Sequence, residues 1–174
     1  YELDPHEIQV GILKRLRGAP ISRHSDSYGL RFAPQPPYSV LATAHMDFST
    51  LQRLTRFARY WDLIANSGRF AHTLPLLLGH DPFTRFLQLS DWLYEETQQT
   101  HRIALPRLFE LLHAALTSVF ALDENRVLAA LAHDCAMHGF KGCPRFLHDC
   151  LRNLDVPTGD TPRAPARQAR HLRA

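Results

Sequence analysis

No close pair of cysteines occurs in this sequence. Its three cysteines, Cys135, Cys143 and Cys150, are separated by seven and then six residues. An odd number is a poor disulfide framework and fits a reducing cytosol better. No apolar run approaches the roughly 18 residues of a membrane-spanning helix, and the opening residues carry no signal-peptide pattern. Also lacking are G-x-S-x-G, a Gly-rich phosphate loop and H-E-x-x-H, so common hydrolase, nucleotide and zinc-protease signatures are excluded. His and Asp are plentiful, but none is paired with a credible nucleophile.

What is there is ordinary in bulk. Hydrophobic residues at 45% and charged residues at 21% of 174 positions suit one globular domain with a real core. The sequence begins with Tyr1 in the middle of a plausible element, as a piece of a longer protein would. The pI near 9.0 suggests nucleic acid at first. The chain has 20 Lys and Arg against 17 Asp and Glu, and Arg163, Arg167, Arg170 and Arg173 face a single acid, Asp160, after Pro157. Everything before that tail is therefore neutral. A solvated Pro/Ala/Arg tail is the expectation, with an RNA-binding arm as the alternative.

Three zones follow. Up to about His45, "EIQVGILKRL" suits a strand ending at Gly18 and Pro20, "YGLRF" a second short strand, and "APQPPYSVLAT" an irregular connection. From Asp47 to Val156 the pattern is helical. Asp47 or Ser49 caps a helix whose Leu51, Leu54, Phe57, Ala58, Trp61, Ile64 and Ala65 form one stripe, with Gly68 as its stop. "HTLPLLLG" suits a short helix. Asp81 and Pro82 open another, carrying Phe83, Phe86, Leu87, Leu89, Trp92 and Leu93 inward. Pro106 opens a helix with Leu108, Leu111, Leu112, Ala115, Leu116 and Val119 inward. Asp123 caps the next, which stops at Gly139, and "PRFLHDCLRNL" forms the last. The expected class is mainly α: a multi-helix orthogonal bundle behind a short β or irregular N-terminal segment.

Two stretches invite a chemical reading. "HDCAMHGFKGCPRFLHDC" gathers the cysteines with His133, His138 and His148. Structural zinc ligands come in pairs two to four residues apart, and no set of four converges here by spacing. Buried cysteines with surface histidines are preferred, and no metal residue is assigned. The second stretch is "RFARYWDLIANSGRF". Beyond its apolar stripe it carries Arg56, Arg59, Tyr60, Asp62, Asn66 and Arg69. One reading is a solvated face with an Arg59–Asp62 pair, worth little. The other is a polar face turned to an anionic ligand or a neighbouring domain.

"IQVGILKRLRGAP", "YGLRFAPQPPYSVLAT", "RFARYWDLIANSGRF", "FLQLSDWLY" and "QTHRIALPRLFELL" together resemble the C-terminal part of cobalamin-binding-type radical S-adenosylmethionine (SAM) proteins. In that architecture a cobalamin-binding domain and a partial α/β barrel precede a helical domain of unknown function. The resemblance implies that residues 1–46 are a remnant of the barrel edge and linker, 47–156 the helical domain and 157–174 a disordered basic tail. It implies a parent Fe–S oxidoreductase, bacterial and cytoplasmic, with a [4Fe–4S] cluster, SAM and cobalamin held upstream. This chain would hold no cofactor, have no catalytic residue, and partner the upstream barrel and cobalamin domain rather than membrane or nucleic acid. Arg56, Arg59, Tyr60, Asn66 and Arg69 become the candidates for a substrate pocket or interface. An alternative is a helical protein-interaction module whose Arg-rich tail contacts nucleic acid. Departures are present. Ala19 stands inside the usual Gly-Thr-Pro, Ser39 replaces the Glu of Pro-Tyr-Glu, and both C-x-x-x-C-x-x-C and D-x-H-x-x-G are missing.

Overall fold

A computed structural model describes residues 5, 7–137 and 143–152. The expected stop at Gly139, His138 and the basic tail lie outside these residues. Six α-helices dominate, α1 (Phe48–Ile64), α2 (Thr73–Leu78), α3 (Pro82–Thr97), α4 (Leu105–Ala114), α5 (Glu124–Met137) and α6 (His148–Arg152). The molecule is mainly helical, as expected. Among the described residues no helix is long and apolar enough to cross a membrane.

Polar residues set the helix starts. Asp47 Oδ1 accepts the Thr50 amide at 2.8 Å, Asp81 Oδ1 the Thr84 amide at 3.2 Å, and Asp123 Oδ1 the Arg126 amide at 2.8 Å. Each satisfies an amide that the helix leaves without a partner. The first helix ends at Ile64, and Gly68 supplies a left-handed residue (φ +69°) in the turn that follows.

Helix α1 packs on α3, α2 lies against α3 and α5, and α4 against α5. Phe57 and Trp61 stack with ring centroids 5.7 Å apart, and the Phe86 ring meets Trp61 edge-on at 4.7 Å. Around them Ile64, Leu89, Leu93, Leu108, Leu112 and Leu131 are fully buried. The expected inward Phe83 is a correction. It sits in the first turn of α3, 56% exposed, with its ring tilted against that of Phe57 at 5.6 Å between centroids. Helix α4 runs into a π-helical turn, Ala115–Val119, with the Phe120 amide donating to the Ala115 carbonyl at 3.1 Å.

Helix α2 has six residues, too few to persist alone. Both its ends are held by other helices. Asp134 of α5 accepts the amides of His72 at 2.8 Å and Thr73 at 2.9 Å. Arg85 of α3 donates Nε to the Leu77 carbonyl at 2.5 Å, its guanidinium 4.6 Å from the Phe120 ring centroid.

The N-terminal segment is built differently. Strands β1 (Arg31–Phe32) and β2 (Val40–Ala42) pair antiparallel with Arg31 opposite Ala42 and Phe32 opposite Val40. Pro20–His24 make a short 3-10 turn. The strand expected over "EIQVGILKRL" is not formed as one. It is extended and joins its neighbour only locally, through a Lys14–Ser39 bridge and the Arg15 N–Tyr38 O and Val40 N–Leu13 O bonds at 2.9 and 2.8 Å. A strand needs a partner along its length, and here the partner is three residues long. β2 in turn rests on α1.

Candidate functional site

The polar side chains of α1 fall on two lines. Arg53, Arg56 and Tyr60 recur at three and four residues, which puts them on one face, and this face meets α3. Arg53 Nε donates to Asp91 Oδ2 at 2.7 Å, and the Asp91 carboxylate holds the guanidinium pKa up. The Arg56 guanidinium lies over the Tyr94 ring, 4.3 Å from its centroid, with its Nε buried and unpartnered among the described residues. Tyr60 is wholly buried and donates its hydroxyl to the Gln99 carbonyl at 2.7 Å. Burial is the main cause raising its pKa. Thr97 closes the corner, donating to the Leu93 carbonyl at 2.7 Å.

The second line is Arg59, Asp62 and Asn66. Asp62 Oδ1 accepts Asn66 Nδ2 at 2.9 Å, so the carboxylate expected to pair with Arg59 is engaged elsewhere. The Asn66 amide also reads the backbone of Ile8. Its Nδ2 donates to the Ile8 carbonyl at 3.0 Å and its Oδ1 accepts the Ile8 amide at 3.4 Å. One side chain thus imitates a strand neighbour and fastens the N-terminal segment to the helical body. Arg59 and Arg69 are exposed.

The five candidates therefore occupy three settings. Arg56 and Tyr60 sit at the α1–α3 contact, Asn66 at the N-terminal segment, and Arg59 and Arg69 in solvent. Tyr94, Gln99 and Asp91 complete the first setting and were not singled out by sequence. Asp91 and Tyr94 belong to "FLQLSDWLY", whose apolar spacing drew attention to its other side.

In "HDCAMHGFKGCPRFLHDC" the described part is also informative. Asp134 is buried, and desolvation raises its carboxyl pKa against the lowering effect of Thr73 and the backbone amides. The rings of His72 and His133 lie 5.2 Å apart. Cys135 and Cys143 form a disulfide across a Cα–Cα distance of 5.9 Å, and Cys150 is free. That corrects the expectation of unpaired buried cysteines: the residue after the helix returns to its last turn, within the span a disulfide bridges. No three His, Cys, Asp or Glu side chains gather to hold a metal among the described residues.

No curated protein and no solved structure matches the chain. A family model does, over residues 26–158, which takes in both strands and all six helices and leaves the first 25 residues and most of the tail outside. The match spans well over half of the sequence, and the chain accordingly belongs to the family described as protein of unknown function, DUF4080.

Proposed function

We propose that this chain is the C-terminal helical unit of a cobalamin-binding-type radical SAM Fe–S oxidoreductase, and that it covers the barrel and shapes the substrate pocket without being catalytic alone. On this reading residues 1–46 are the end of the barrel and its linker, 47–156 the cover and 157–174 a solvated tail. The observation that carries it is the distribution of exposed apolar side chains. Val10, Leu13, Leu16, Tyr28, Tyr38 and Met46 are exposed, whereas Val40 alone is buried among the described residues before Asp47. A segment of this kind, with short strands and open hydrogen-bonding edges, suits continuation by another sheet. The quoted sequence resemblance supports the same identity for what lies upstream.

The residues present do not fit an iron–sulfur cluster. Cys135 and Cys143 are paired with each other, and Cys150 has no clustered His, Cys, Asp or Glu partners among the described residues. On this reading cluster, SAM and cobalamin are held by the upstream barrel and cobalamin domain, as the sequence resemblance implies. The cover's contribution is exclusion of water from a reaction that generates a reactive intermediate. Cytosolic placement belongs to the proposal.

The test is the longer protein. Its upstream sequence should contain C-x-x-x-C-x-x-C, and the purified protein should show iron–sulfur absorbance and cleave SAM. Absence of the motif and of both activities would sink the proposal.

A further inference from the structure

Between Ile8 and Ser25 the sequence holds Lys14, Arg15, Arg17 and Arg23 and no acid. The fold draws three of these basic residues around one cleft. Residues 15–20 fold back at Gly18 (φ +78°) and enter the Pro20–His24 turn, and Tyr38 closes the opposite side. The cleft has a volume of about 510 Å³ and is lined by Arg15, Arg17, Gly18, Ser22, Arg23 and Tyr38 among others, with no carboxylate in its wall among the described residues.

Three features set the cleft apart from a chance grouping of surface arginines. None of the three is ion-paired among the described residues, whereas Arg53, Arg107 and Arg152 are. The Arg15 guanidinium is held over the Phe32 ring, 5.5 Å from its centroid, which lowers the cost of ordering it. A Cβ at Gly18 would meet nothing within 4 Å, so the glycine is required by its backbone conformation and leaves the wall open.

We infer that this cleft binds a small phosphorylated molecule, the Arg15, Arg17 and Arg23 guanidinium groups receiving the phosphoryl oxygens and Ser22 and Tyr38 supplying hydroxyl donors. Guanidinium forks match phosphate geometry and stay charged at every physiological pH. The concave wall favours a compact ligand over a nucleic-acid strand, which follows an extended groove. The cleft shares Leu16 and Tyr38 with the surface proposed to continue into an upstream sheet, so the inference is made for the 174-residue chain, and failure of phosphate binding would leave the cover reading standing.

Pyrophosphate titrated calorimetrically into the full chain is the test, with inorganic phosphate as the smaller probe. Saturable one-to-one binding of pyrophosphate is expected, tighter than phosphate, with amide shifts confined to residues 15–23 and Tyr38. Arg17→Ala and Arg23→Ala should each weaken it roughly ten- to a hundredfold, as loss of a charge-assisted hydrogen bond implies. Arg15→Lys should weaken it less than Arg15→Ala. Arg17 and Arg23 are exposed, so the melting temperatures of their variants should not move and folding is controlled. Equal binding by the Arg15/Arg17/Arg23 triple alanine variant overturns the assignment. So does single-stranded RNA displacing pyrophosphate at hundredfold lower concentration, since the cleft would then be part of a nucleic-acid surface.

Discussion

The helical body and the N-terminal segment follow the same rules with opposite results. In the body, stripes from α1, α3, α4 and α5 converge, and Phe57, Tyr60, Phe86, Leu112 and Leu131 lose nearly all contact with water. In the segment, a somewhat less apolar sequence, 19 of residues 1–46 against 54 of residues 47–156, leaves Leu16 66% and Tyr28 58% exposed. The difference is the supply of partners. Each helix satisfies its own backbone and needs only a neighbouring stripe. An extended segment needs hydrogen bonds along its whole length, and here β2 and the Asn66 amide are its main sources. Apolar content alone therefore does not make a core.

The comparison breaks most visibly in the aromatic stack. Phe86→Ala removes a ring buried among Phe57 and Trp61 and should cost about 3–5 kcal/mol in urea unfolding. Leu16→Ala in the same chain should change stability by less than about 0.5 kcal/mol. Comparable losses at the two sites would mean that the segment is packed as tightly as the body.

A smaller effect is expected at Asp134. Asp134→Asn keeps one acceptor for the α2 amides and turns the other into a donor, costing about 1–3 kcal/mol. The pH dependence separates this cap from the surface ones. Desolvation raises the Asp134 pKa above 3.8, so the native state holds its proton longer than the unfolded state does. Its contribution is fully present below pH 3.8 and is lost as pH rises through the raised native value. Asp47 is the reverse, because bonds from Thr50 lower its pKa. Its contribution is present above the unfolded value and is lost as pH falls through the native one. The stability gap between wild type and Asp134→Asn should narrow with rising pH, and that for Asp47→Asn should widen. Parallel slopes would contradict the burial argument.

These caps also show what the sequence carries. Asp47, Asp81 and Asp123 are legible because cap and amide are three residues apart. Asp134 is not, since the amides it accepts come from His72 and Thr73, some sixty residues earlier. Tyr60 was misleading for another reason. Its hydroxyl suggests a polar face, but the side chain is buried and the Gln99 carbonyl meets the hydroxyl at the edge of the core. The Cys135–Cys143 pair joins a helix to the chain beyond it, a contact that spacing rules within a helix do not report. Of the candidate site, the identity of the α1 polar residues was legible and their partners were not, because those lie on α3 and at Ile8.

Asn66 is where the two regions meet. Asn66→Ala removes both bonds to Ile8 and should release the segment by about 1 kcal/mol while leaving the body intact. Amide exchange at Ile8 should quicken roughly fivefold, with unchanged protection in α3 and α5. Asn66→Asp cannot donate to the Ile8 carbonyl and sets a second carboxylate against Asp62, so it should release the segment at least as far as alanine does. Faster exchange throughout α1 would show that the segment supports the body rather than hanging from it.

The smallest effect concerns Arg59, and it separates stability from function. Its side chain is exposed, and Asp62 is bonded to Asn66 instead. Arg59→Ala in the 174-residue chain should leave the unfolding midpoint unchanged, within about 0.5 kcal/mol. Arg56→Ala, which loses the stack on Tyr94, should cost about 0.5–1 kcal/mol. If the helical body covers a barrel as proposed, the order reverses in the longer protein. Arg59→Ala and Arg69→Ala would there lower substrate turnover at unchanged cluster content, because their guanidinium groups are available to an incoming surface or anion. Arg56 is already committed to its own fold and would act chiefly through stability. Unchanged turnover for both exposed variants would leave the two arginines as solvated charges and remove them from any pocket.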